Sequence, residues 1–91
     1  MTIEELDEKL QKNGFKPHSN SYYKMLLPVV YVLIEVKSNI MTIYICDDKG
    51  LSAEYKVGFS LISDYAVIEK IIDAMINGLR WTENNIDLIF K

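Results

Sequence analysis

Between Val29 and Phe59 the chain alternates with a period of two, and both sets of alternate positions contain apolar residues. The pattern predicts three consecutive antiparallel strands joined by short turns. Lys37-Ser38-Asn39-Ile40 suits a two-residue hairpin loop, because Asn tolerates the positive φ that primed turns require. Asp48-Lys49-Gly50 suits a three-residue loop, a type I turn closed by a glycine bulge. These loops set Val36 opposite Met41, Ile34 opposite Ile43 and Val32 opposite Ile45. They then set Ile45 opposite Ala53, Ile43 opposite Tyr55 and Met41 opposite Val57, with Leu51 and Phe59 extending the same face. Two turns chosen on their own chemistry thus agree with one hydrophobic pattern, and a slip of one residue would turn every side chain over.

The other face has a greasy centre, Tyr31, Leu33, Tyr44 and Cys46, inside a border of Glu35, Lys37, Thr42, Ser52, Glu54 and Lys56. Leu33 falls opposite Tyr44, and Tyr31 opposite Cys46. A small antiparallel sheet normally leaves one face to water, so this second apolar face asks for cover from the chain itself, a second copy or a partner. With Asp47 and Asp48 at the hairpin end, these four residues form the candidate interface.

The flanking segments complete an α+β domain. Thr2-Ile3-Glu4-Glu5 is a capping box, and Ile3, Leu6 and Leu10 follow on one helical face. Asn13-Gly14 ends that helix, with Phe15 placed to touch Leu10 in a Schellman closure. Lys16 to Ser21 reads as a connector, and Tyr22 to Leu27 as a short strand ended by Pro28. Ser63 or Asp64 caps a second helix to about Asn77, with Ile68, Ile71, Ile72, Met75 and Leu79 inward and Glu69, Lys70, Asp73 and Asn77 outward. Gly78 supplies its stop, Thr82 to Asn85 a turn, and Ile86 to Phe90 a final strand. The expectation is a single domain over residues 1–91, with an antiparallel sheet of three to five strands and both helices packed on one face.

Composition narrows the function classes. A net charge of −3, with no basic run interleaved with aromatics, argues against direct nucleic-acid binding. A single cysteine excludes an internal disulfide framework and suits a reducing cytoplasm. The opening Met-Thr-Ile-Glu-Glu lacks the basic end and apolar run of a secretory signal. The apolar run Met25 to Ile34 contains Pro28 and is too short to span a bilayer, so no membrane partner is expected. Nine lysines to one arginine, with many Ile and Asn, resemble coding in an AT-rich genome such as that of a low-GC bacterium or its phages. The expected location is the cytoplasm of a bacterial host.

Candidate chemistry is sparse. His18 is the only histidine and has no nucleophile near it in sequence, so a solvated loop histidine is the plain reading. Cys46 has no adjacent cation or helix N-terminus to lower its pKa and reads as a strand-packing residue. Asp47-Asp48 is a carboxylate pair in sequence, but adjacent strand-end side chains diverge, and Asp before Gly is ordinary turn chemistry. Neither a calcium loop, a zinc cluster nor a phosphate-cradling glycine loop is present. The expectation is a non-enzymatic chain with no cofactor, metal or catalytic residue. Tyrosines, which combine apolar contact with a hydrogen-bonding tip, favour a protein partner.

The segment Val67-Ile68-Glu69-Lys70-Ile71-Ile72-Asp73-Ala74-Met75-Ile76-Asn77-Gly78 resembles the helix that follows the small sheet in one type of phage-borne anti-CRISPR protein. The order of N-terminal helix, three antiparallel strands and a helix ending in Asn-Gly is similar too. The resemblance implies a small inhibitor that binds a CRISPR-Cas nuclease stoichiometrically. Members of that type are strongly acidic and occupy the channel in which the nuclease reads DNA. This chain has Asn84 to Lys91 where they carry an acidic stretch, so no binding residue is transferred. Two alternatives stay open: a homodimeric phage or host accessory protein assembled through the second sheet face, and a small-molecule or nucleotide binder.

Overall fold

The computed structural model describes the backbone of residues 1–90 and the side chains of residues 1–78. Helix α1 (Ile3–Lys12) precedes a five-stranded antiparallel meander of β1 (Lys16–His18), β2 (Ser21–Leu27), β3 (Val30–Lys37), β4 (Ile40–Asp47) and β5 (Gly50–Gly58), in spatial order β1-β2-β3-β4-β5. A short 3₁₀ turn (Phe59–Leu61) then leads into α2 (Tyr65–Phe90). The α+β architecture expected from the sequence is the one observed.

Local chemistry accounts for the N-terminal helix. The Thr2 hydroxyl accepts from the Glu5 N–H at 3.1 Å, satisfying one of the donors a helix start leaves open. At the other end the Phe15 N–H donates to the Leu10 carbonyl at 2.9 Å and the Gly14 N–H to the Gln11 carbonyl at 3.1 Å. That is the Schellman pair, and Gly14 at φ +90° supplies the left-handed turn it needs. Phe15 is buried in the same cluster as Leu10, so the cap also closes the core.

The sheet has the expected register. Val32, Ile34 and Val36 of β3 face Ile45, Ile43 and Met41 of β4. Those three face Ala53, Tyr55 and Val57 of β5. Ser38 and Asn39 both have positive φ, as a primed two-residue turn demands. Among the described residues the main core cluster lies on this face: Leu6, Leu10, Phe15, Val32, Ile34, Met41, Ile43, Ile45, Phe59, Ile62, Ile68 and Ile72 form one buried cluster, while Thr42 and Cys46 are buried within the other face. Ile68 and Ile72 point inward from α2, while Glu69, Lys70, Asp73 and Asn77 are exposed.

Four details differ from expectation. The connector Lys16 to Ser21 contains β1, because Ser19 adopts φ 58° and folds His18 back onto Ser21 in a tight turn. Pro17 is tolerated there because β1 is an edge strand. Leu51 does not extend the core face. The β4–β5 loop is Asp48-Lys49, with Gly50 paired to Asp47, rather than the expected three residues. A register shift between Ile45 and Cys46 makes Ser52 the extra residue on β5, so Leu51 pairs with Cys46 and is 58% exposed. Finally, α2 passes through Asn77-Gly78 instead of stopping there. Gly78 does not adopt the positive φ of a helix stop, unlike Gly14. The bounds of α2 take in Ile86 to Phe90, which the alternation assigns to a terminal strand. The expected inward place of Leu79 lies outside the described side chains.

Two stability measurements check this arrangement. Ile43 is fully buried, so Ile43→Ala should cost about 2–5 kcal/mol in denaturant unfolding. Thr42, on the opposite face, is also buried, but Thr42→Ala removes fewer apolar atoms and should cost less than Ile43→Ala, on the order of 1 kcal/mol; the reverse order would mean a register slipped by one. A Cβ on Gly78 would meet nothing within 4 Å, so Gly78→Ala should gain roughly 0.5–1 kcal/mol as an interior helix substitution. A loss of that size would place Gly78 in a left-handed cap.

Candidate interaction surface

The face of the sheet turned away from the helices is laid out in rows across the strands. One row runs Lys16–Tyr23–Leu33–Tyr44–Glu54, and a second runs Met25–Tyr31–Cys46–Leu51. A third, Ser21–Glu35–Thr42–Lys56, borders them on one side. The structure therefore brings Tyr31, Leu33, Tyr44 and Cys46 together as expected. It adds Tyr23, Met25 and Leu51, making seven apolar or aromatic side chains side by side. Met25 and Leu51 are the most open of them, at 53% and 58% exposure. The bulge at Ser52 recruits Leu51, and no feature of composition alone announces it. Tyr23 and Met25 follow from alternation along β2 once that strand is placed in register.

Polar contacts stiffen this face. The Tyr44 hydroxyl donates to Glu35 Oε1 across β3 and β4 at 2.9 Å, and that bond pushes its pKa up. A side-chain hydrogen bond with Cys46 likewise raises the pKa of Tyr31. The Cys46 thiol is buried among the strands, which suits a packing role. Tyrosines held by such bonds lose little further freedom when a partner covers them.

The two aspartates part company. Asp47 accepts from the Lys49 N–H at 2.8 Å and from the Ser52 hydroxyl at 2.9 Å. Those bonds hold its pKa below the ordinary value and make it a brace for the β4–β5 turn. Asp48 is exposed at the turn's tip. His18 ends β1 rather than lying in a loop, with its ring edge-on to Tyr23 at 6.2 Å and 87°. Among the described residues, no group of three or more His, Cys, Asp or Glu side chains is placed to hold a metal ion. No helix among them is long and apolar enough to cross a membrane.

On the core side, an open groove of about 520 Å³ lies between α1 and the β1–β3 end of the sheet. Its wall carries the tie between α1 and β2, in which the Tyr22 hydroxyl donates to the Asp7 carboxylate. The Gln11 amide also donates to Asp7, at 3.0 Å. Burial, and then the Asp7 bond, push the Tyr22 pKa from 10.0 up to about 12. This chain matches no family model, no curated protein and no solved structure.

The Tyr22 tie has a pH consequence. A phenol whose folded pKa lies above its unfolded one binds its proton more tightly in the native state, so its contribution is complete below the unfolded value. Stability should fall between pH 10.0 and about 12 as Tyr22 ionises in the unfolded chain first. Tyr22→Phe should flatten that part of the slope in urea unfolding across this range, while an unchanged slope would mean that neither burial nor Asp7 raises the Tyr22 pKa.

Proposed function

We propose that this chain acts by stoichiometric binding of a protein through the outer face of its sheet. The observation that carries the reading is the one-sided core: both helices pack on the Ile43 face, leaving the rows Tyr23–Leu33–Tyr44 and Met25–Tyr31–Cys46–Leu51 without a covering layer among the described residues. An aromatic centre with a charged border, here Lys16, Glu35, Glu54 and Lys56, is the composition of a protein-contact patch. Exposed contiguous apolar surface on a small domain marks such sites more often than idle surface.

The partner we propose is a CRISPR-Cas nuclease, on the strength of the likeness of Val67–Gly78 to a helix of phage-borne anti-CRISPR proteins. That likeness is narrower in three dimensions than in sequence, since α2 does not end at Asn77-Gly78 and the sheet has five strands. Inhibition by this route needs no catalytic group. The alternative of a face-to-face homodimer draws on the same apolar rows, and the two are separated by whether the variants relieve nuclease inhibition or dissolve a dimer.

The test is a titration of nuclease cleavage with wild-type protein, His18→Ala, Cys46→Ser, Tyr44→Asp and Leu51→Asp. Inhibition should saturate near one protomer per nuclease and survive the first two substitutions. The last two should relieve it, and Leu51→Asp should leave folding unchanged because that side chain is already in water. Absence of inhibition at excess protein would remove the nuclease as partner. Light scattering showing a dimer that Leu51→Asp dissolves would establish the homodimer instead.

A further inference from the structure

The outer face is not the only unsatisfied surface of the sheet. The strand order ends on β5, and no other strand pairs with it among the described residues. A nine-residue edge strand presents open backbone donors and acceptors, a template for another strand. The opposite edge is blunted by the three-residue β1 with its proline, whereas β5 contains none.

The backbone groups at this edge can be identified. A two-residue hairpin loop places Lys37 and Ile40 in a hydrogen-bonded pair. Alternation then turns the backbone of Met41, Ile43 and Ile45 toward β5, and that of their partners Val57, Tyr55 and Ala53 back toward β4. Phe59, next in that series, fits: its N–H donates to the Asn39 carbonyl at 2.8 Å. The N–H and C=O of Glu54 and Lys56 therefore point out from the free edge.

We propose that β5 pairs antiparallel with β5 of a second copy of this chain, about a two-fold axis at Tyr55. The side chains select this register. Centring the axis on Glu54 would set that carboxylate against itself, and centring it on Lys56 would do the same with two ammonium groups. Centring it on Tyr55 sets Glu54 opposite Lys56 of the second copy, twice, and like charges directly opposite would be destabilising where these are favourable. The same register makes Glu54 and Lys56 a hydrogen-bonded pair, as their outward backbone requires. It also uses the regular stretch of β5 beyond the bulge at Ser52.

The core-facing side of the edge agrees. Tyr55 is 45% exposed and borders a groove of about 450 Å³ lined by Val67, Lys70, Ile71, Ala74 and Met75 of α2. In the proposed pair the two Tyr55 residues meet at the axis as a non-hydrogen-bonded pair, where cross-strand side chains come closest. Dimerisation would join two sheets edge to edge and make their outer faces one continuous surface. The side chains of Glu54 and Lys56 also border the outer face, so Tyr44→Asp separates the two: it should leave the edge dimer intact, and a dimer that it dissolves would be the face-to-face one and would overturn the edge pairing.

Sedimentation equilibrium of wild-type protein, Glu54→Lys, Lys56→Glu, the double variant and an equimolar mixture of the two single variants tests this. Wild type should dimerise, and each single variant should weaken the dimer about tenfold or more by opposing like charges. The double variant should return to within about threefold of wild type. The mixture should form heterodimers tighter than either variant alone, since it sets two lysines against two glutamates. The internal Glu54–Lys56 contact at 3.5 Å cannot produce that result, because it lies within one chain. Amide exchange at Glu54 and Lys56 should slow as concentration rises. Wild type that stays monomeric at about 0.5 mM, well into the range of weak association, overturns the proposal. So does a dimer indifferent to the single variants, or a mixture no tighter than either of them.

Discussion

Ile43 sits at the centre of β4 with Ile34 on one side, Tyr55 on the other and both helices above it, and the rest of the structure depends on that pairing. Because side chains alternate, fixing Ile43 inward fixes Ile45 and Met41 inward and sends Thr42, Tyr44 and Cys46 to the opposite face. The turns at Ser38-Asn39 and Asp48-Lys49 then carry the same choice into β3 and β5. Both helices follow the apolar face, α1 through Leu6 and Leu10 and α2 through Ile68 and Ile72. The outer face is thus a consequence of how the core is made, and its aromatic content is what needs explaining.

That content makes sense if the sheet is a platform. Tyr44 at its centre is braced on Glu35, so that part of the surface is formed before any partner arrives. Asp47 belongs to the brace of the turn rather than to the surface, which leaves Asp48 as the exposed acid at that corner. The free edge at β5 adds open backbone groups at Glu54 and Lys56, whose side chains also border the outer face.

The register was legible because two independent signals, turn chemistry and a two-residue period, agreed on Ile34, Ile43 and Tyr55. The cap at Gly14 was legible for a similar reason, since Asn13, Gly14 and Phe15 each have a place in a known closure. Three features were not. β1 consists of Lys16, Pro17 and His18, too short to show alternation and polar enough to pass for a connector. Asn77-Gly78 has the composition of a helix stop, but composition does not dictate φ, and here the helix continues. Leu51 was assigned to the core because turn chemistry put the extra residue at Gly50, whereas the pairing puts it at Ser52. That one inserted residue moved Leu51 to the outer face and enlarged the candidate site, of which the four central residues Tyr31, Leu33, Tyr44 and Cys46 were already visible in the alternation.

The sheet has one packed face and one open face. Methyl relaxation by a dissolved paramagnetic agent, measured by NMR on dilute protein, tests it most directly. Strong relaxation is expected at Met25, Leu33 and Leu51, and little at Ile34, Ile43 and Ile45. Leu33 and Met25 as well protected as Ile43 in the monomer would contradict it, because the chain itself would then cover both faces.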